Sequence, residues 1–213
     1  MSKPPLKVPP TGPEIAALPP FPGLTLDQVR ILRTSADFSD ALAAIRQAGC
    51  IGFDTESKPT FVKGEVNTGP HVIQLSLEDC AYIIQVDADT PLDFLKDILE
   101  SEAIIKAGFG LSSDRGPLFN KLDIRLNAAV DLSMALRHLR YKNQLGLKTA
   151  VAIVLGQKLQ KAKWVTTSNW SVRELSREQL LYAANDAYAS LKVYLAAGSP
   201  LPAPGKRKEK ATP

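Results

Sequence analysis

The stretch Cys50-Ile51-Gly52-Phe53-Asp54-Thr55-Glu56 passes from apolar to acidic within the length of one strand. Alternate residues of a strand point to the same face, so Asp54 and Glu56 stand side by side where a core-forming run ends. Upstream, Ser35 or Asp37 caps a predicted helix whose apolar positions Phe38, Ala41, Leu42, Ile45 and Ala48 share one face, and Gly49 supplies its stop. A short apolar run at 29–32 is a further strand candidate before that helix. Downstream, 71–77 and 81–86 read as two strands joined by a turn at Glu78-Asp79. A helix with proline in its first turn is expected over 91–99, then a buried strand over 104–109. A short helix over 112–120 and a last strand over 128–132 follow, and the remainder is helical at about 132–140, 145–155 and 176–196. Early hairpin strands followed by alternating strands and helices make a mixed-sheet α/β domain.

Length and composition agree with one such domain. The chain has 213 residues, 45% hydrophobic and 23% charged, enough for one substantial core and little left for a second. Residues 1–23 hold eight prolines and no periodicity, which predicts a disordered or extended arm, and 198–213 reads as a flexible basic tail. The folded unit expected between them is 24–197. No apolar run is long enough to cross a bilayer, and the N-terminus has no apolar signal region. With Cys50 and Cys80 thirty positions apart and without metal-ligand spacing, the chain reads as an intracellular protein with reduced thiols, cytoplasmic, or nuclear in a eukaryote. The net charge of +4 is mild, but its distribution is uneven. No acid lies between Asp131 and Glu174, where Arg137, Arg140, Lys142, Lys148, Lys158, Lys161, Lys163 and Arg173 all occur. One region thus offers cations to a polyanion, and a solvated helix surface accounts for it about as well.

Three segments carry candidate chemistry. Asp54 and Glu56 would repel each other unless a cation lay between them, and phosphodiester cleavage uses such hard-oxygen sites, with divalent ions about 3.5–4 Å apart. Tyr182 and Asp186 lie at i and i+4 of a helical stretch, on one face, with apolar neighbours that would press Asp186 against the sheet. Asp114 follows the strand over 104–109, near the start of the next helix, where a carboxylate is favoured as a cap. Each alone has a bland counterpart: a solvated strand end, a tyrosine–aspartate hydrogen bond, a helix cap. Gly108-x-Gly110 invites comparison with a dinucleotide-binding turn, but Ser113 stands where the third glycine belongs, and the motif comes too late in the chain.

Taken in order, the segments resemble a known family. Phe53-Asp54-Thr55-Glu56 is similar to the first motif of the DEDDy 3′→5′ exonucleases, which include ribonuclease D and the Werner syndrome exonuclease. Gly108-Phe109-Gly110-Leu111-Ser112-Ser113-Asp114 resembles the second motif and Tyr182-x-x-x-Asp186 the third. Ser168-Asn169-Trp170-Ser171 and Leu180-Leu181-Tyr182-Ala183-Ala184-Asn185-Asp186-Ala187-Tyr188-Ala189 are similar to the Werner-type branch almost residue for residue, and the resemblance covers about 28–196. It implies an RNase H-like fold with a five-stranded mixed sheet flanked by helices. It implies two divalent ions, Mg²⁺ or Mn²⁺: one on Asp54, Glu56 and Asp186, the other bracketed by Asp54 and Asp114. Tyr182 would orient the attacking water, and nucleoside 5′-monophosphates would leave the 3′ end of DNA or RNA. Lys148 and Arg173 are candidate phosphate contacts, and Asp131 is first a helix cap. Trp170 is expected to pack beneath the active-site helix. The competing reading is a nucleic-acid-binding or scaffold protein that kept the fold and is catalytically weak.

Overall fold

The computed structural model describes residues 6–61 and 64–199, with only the backbone of Lys163. Six strands form one sheet: β1 (Val29–Ile31), β2 (Cys50–Glu56), β3 (Val72–Ser76), β4 (Ala81–Gln85), β5 (Ile105–Gly108) and β6 (Ala129–Asp131). Their order is β1-β4-β3-β2-β5-β6. The β2–β3 and β3–β4 pairs are antiparallel, and the other three are parallel. The mixed α/β architecture is the one expected. The count of five strands is corrected to six, because Val29–Ile31 pairs in register with Ala81–Ile83 at the sheet edge.

Among the described residues eight α-helices accompany the sheet: α1 (Gly12–Ala16), α2 (Ser35–Ala48), α3 (Leu92–Leu99), α4 (Arg115–Leu122), α5 (Leu132–Ala135), α6 (Leu147–Ala150), α7 (Lys163–Thr166) and α8 (Arg177–Ala196). The period-2 alternation of β2 sorts the layers. Ile51 and Phe53 enter a core with Ala41, Ile45, Leu95 and Ile98 of α2 and α3. Gly52, Asp54 and Glu56 therefore face the opposite side, where α8 lies across the sheet. The sharp ends of α2 follow from its sequence. Thr34 and Asp37 form a capping box, one residue before the expected cap, and Gly49 closes the helix at φ 67°. Residues 151–155 continue α6 as a π-helical stretch, ended by Gly156 in the left-handed region.

Residues 6–23, read from composition as a disordered or extended arm, lie ordered along the domain. Thr11 and Glu14 cap α1 reciprocally, and Ile15 is buried. Proline-rich chain has few donors but keeps its carbonyls, and the domain supplies the missing donors. Lys158 N donates to Pro19 O at 2.8 Å and Lys142 N to Lys7 O at 2.9 Å, while Phe21 N donates back to Lys158 O at 2.9 Å. Of the tail at 198–213, all but Gly198 and Ser199 lies outside the described residues.

One buried cation belongs to this scaffold. Lys106 of β5 has no exposed surface, and its Nζ donates to Ile98 O at 3.2 Å and Ser101 O at 2.7 Å, at the carbonyl end of α3. Burial pulls its pKa down to about 8. Between pH 8 and the unfolded value of 10.5 the unfolded chain holds a proton that the folded chain has released, so stability rises with pH there. Urea denaturation of wild type and Lys106→Met should show their stability difference shifting by on the order of 2 kcal/mol in favour of wild type from pH 8 to pH 10.

Candidate active site

Asp54, Glu56 and Asp186 meet on the α8 face of β2. Their nearest carboxylate oxygens all lie within 4.8 Å of one another. Gly52 makes this possible. A Cβ at that position would run into the carbonyl oxygen of Ala187, so α8 rests its backbone on β2 at the residue next to Asp186. The helix start is set by Ser176, whose side chain accepts from Gln179 N while Gln179 returns a bond to Ser176 N.

Asp114 falls outside this tight group. It occupies the N-cap position of α4 but makes no side-chain cap bond; its Oδ1 instead accepts from Thr55 Oγ1 at 2.5 Å. The carboxylate is thus turned toward the end of β2. The loop that carries it is held by Asp131, whose Oδ1 accepts from Gly110 N at 3.1 Å while capping α5 through Ser133. Gly110 sits at φ 71°, where a side chain would be strained.

The electrostatics are those of a site short of positive charge. Burial, then the charges of Asp186, Glu56 and Asp114, hold the Asp54 carboxyl well above the carboxylate range. Glu56 is pushed up to about 8 by burial and Asp186, against the pull of Lys161. Burial also raises Asp114, opposed by the Thr55 hydroxyl. A divalent ion among these oxygens would remove the repulsion, and hard carboxylate oxygens suit Mg²⁺ or Mn²⁺. The donor set therefore fits such a metal.

Tyr182 stands one turn before Asp186, with its hydroxyl accepting from Thr166 Oγ1 at 3.1 Å. Burial and Asp186 raise its pKa, so the phenol is neutral near pH 7. Trp170 is 1% exposed, and its ring centroid lies 5.9 Å from that of Tyr182. It packs beneath the tyrosine, as its neighbours in sequence predicted.

Two residues that sequence reading did not single out belong to the site. One is Gly52; a glycine inside a strand is the ordinary mark of close backbone approach. The other is Lys161, whose Nζ is 2.5 Å from Asp186 Oδ2 and 4.9 Å from the centroid of the Tyr182 ring. Its only signal was membership of the acid-free stretch between Asp131 and Glu174. Lys148 borders the cleft that contains Tyr182 and Asp186. Arg173 does not; it lines a separate groove with His71, Gln85 and Asp89.

The family model described as 3′-5′ exonuclease matches residues 29–197. The chain belongs to the 3′-5′ exonuclease family. Among its relatives, the bifunctional 3′-5′ exonuclease/ATP-dependent helicase WRN of Mus musculus is 32% identical over 182 residues, which cover 84% of this chain and 13% of that protein. A 3′-5′ exonuclease of Arabidopsis thaliana is 28% identical over 147 residues, 68% of this chain and 51% of its own length. Among solved structures, the EXO domain of Aedes aegypti Nibbler superposes with a TM-score of 0.69 at 27% identity, covering 81% of this chain and 88% of that domain. Escherichia coli RNase D, at 22% identity and a TM-score of 0.68, shares the fold. This exonuclease-family chain thus spans about half or less of the two curated relatives described.

Proposed function

We propose that the chain is a metal-dependent 3′→5′ exonuclease that hydrolyses DNA or RNA from the 3′ end and releases nucleoside 5′-monophosphates. The observation that carries this reading is the convergence of Asp54, Glu56 and Asp186, distant in sequence, with carboxylate oxygens within 4.8 Å of one another. Asp54, Glu56 and Asp186 would hold one Mg²⁺ or Mn²⁺, and Asp54 and Asp114 would bracket a second. When bound, the ions supply Lewis-acid stabilisation of the entering and leaving oxygens and lower the pKa of bound water. The chain's own groups do the positioning. Thr55 directs Asp114 toward the site. Tyr182, a phenol that stays neutral near pH 7, is a poor base, and its hydroxyl would orient the attacking water by hydrogen bonding. Lys161 places a positive charge beside Asp186, where it offsets the charge of the reacting phosphate.

The test is direct. Single-stranded RNA, single-stranded DNA and a recessed-3′ duplex, each 5′-labelled, are incubated with wild type and with Asp186→Ala, in Mn²⁺ and in EDTA. A ladder shortening from the 3′ end, present only with wild type and metal, is the expected result. If folded protein binds the oligonucleotides but shortens none of them, the chain is the catalytically weak binding module of the competing reading.

A further inference from the structure

Gln74, in the middle of β3, has no exposed surface, and neither Oε1 nor Nε2 of its side chain has a hydrogen-bond partner among the described residues. A buried amide in that state costs free energy, so its presence asks for a reason. Ile73 and Leu75 enter the core with α2 and α3, so Val72, Gln74 and Ser76 face α8. Val72 joins Ala81, Ile83, Ala183 and Ala184 in the apolar layer beneath that helix. In that layer Gln74 stands opposite Ile83 of β4 on one side and opposite Asp54 of β2 on the other. An apolar side chain of the same length would fill the space without the cost. The buried hydroxyls nearby are satisfied: Ser76 Oγ donates to Leu77 O and Ser190 Oγ to Asp186 O, each at 2.9 Å.

Asp54 is the neighbour that gives the amide a use. Residues directly opposite on antiparallel strands share a face, with Cβ atoms about 4.5–5.5 Å apart, within reach of a glutamine side chain. Asp54 Oδ1 accepts from Thr55 N at 2.9 Å, a bond from its own strand. We propose that Gln74 is a positioning residue for Asp54: its Nε2 donates to the carboxylate when that carboxylate holds a divalent ion, and so fixes its orientation. The inference rests on the metal site of the exonuclease reading above and adds to it a residue that is neither acid nor tyrosine. Carboxylates that ligate metals are themselves hydrogen-bonded, and loss of such an outer partner weakens the metal's hold. An amide suits the task because it carries no charge. It can hold a carboxylate without competing with the ion for it, unlike the ammonium group of Lys161 beside Asp186.

Mn²⁺ binding to the full chain, without nucleic acid, tests this. Free Mn²⁺ is read from its electron paramagnetic resonance signal as the metal is titrated into wild type and into Gln74→Met, which keeps the length and loses the amide. The variant should bind Mn²⁺ about 10- to 100-fold more weakly, the range seen when an outer partner of a metal ligand is removed. In EDTA it should melt no lower than wild type, because methionine leaves no polar group buried without a partner. A residue with only a structural role would move the melting temperature and leave Mn²⁺ affinity alone. Gln74→Leu serves if the methionine variant does not fold. Unchanged Mn²⁺ affinity in a folded variant overturns the proposal. Failure of both variants to fold overturns it too, since the amide would then serve the fold itself. A wild type that takes up no Mn²⁺ overturns the metal site along with it. Binding requires no turnover, so a chain that shows the expected weakening and hydrolyses no oligonucleotide refutes the exonuclease reading alone.

Discussion

Asp54→Asn is expected to abolish hydrolysis while making the metal-free protein more stable. The amide keeps the shape of the carboxylate but neither its charge nor the hold on a divalent ion proposed for it. The metal site is asked for several kcal/mol of transition-state stabilisation, so the rate should fall roughly 10³-fold or more. Stability should move the other way because of what surrounds Asp54. It is buried and faces Asp186, Glu56 and Asp114, which together hold its carboxyl well above the ordinary range. Replacing it with a neutral group removes a buried like-charge contact, a gain on the order of 1–2 kcal/mol. Scanning calorimetry in EDTA should therefore show a melting temperature higher by several degrees, since about 1 kcal/mol shifts a chain of this size by roughly 2–4 °C. A lower melting temperature for the variant would mean that the fold needs this carboxylate for itself.

The metal-free protein is further expected to lose stability as pH rises from 5 to 8, and added Mn²⁺ should restore it. The folded state holds Glu56 at about 8 through burial and Asp186, against an ordinary value of 4.5. Between these values the folded chain keeps a proton that the unfolded chain has given up. The unfolding free energy therefore falls as pH rises, and the contribution is gone above the folded pKa. With Glu56 partly exposed and Lys161 nearby, the loss should be on the order of 3 kcal/mol. At pH 8, Mn²⁺ at a hundred times its dissociation constant should return about 2.7 kcal/mol by mass action. Urea denaturation at pH 5, 6.5 and 8, in EDTA and in Mn²⁺, measures both effects. A flat profile in EDTA would show that Lys161 already satisfies the cluster.

Much of the site was legible because its chemistry is written in local spacing. Asp54 and Glu56 share a strand face and Tyr182 and Asp186 a helix face, and both periodicities are properties of the backbone alone. Asp114 was legible only as an alternative. A carboxylate at a helix start is commonly a cap, and only its bond to Thr55, in place of any cap bond, separates the two uses. In sequence Lys148 was a candidate phosphate contact, and Lys161 was only another lysine of the same basic stretch. The fold takes Lys161 to Asp186 and Lys148 to the rim of the same cleft, and it takes Arg173 to a different groove.

The arm shows the same division more sharply. Its prolines and lack of periodicity read as a disordered or extended arm, whereas residues 12–16 form a capped helix with Ile15 buried. Prolines and missing periodicity carry no information about docking, which rests on backbone groups of residues 140–158 and on side-chain contacts such as Lys158 Nζ with Ala16 O and Phe21 with Tyr188. Side-chain period and type put Asp54 with Glu56 on one strand face and Tyr182 with Asp186 on one helix face, and the resemblance to the exonuclease family singled out these acids and the tyrosine as the groups that could act. Two further features came from packing: Asp54, Glu56 and Asp186 converge, and Lys161 joins them. Convergence depends on how closely one backbone can approach another, as at Gly52 and Ala187, and that distance is a property of the packed fold.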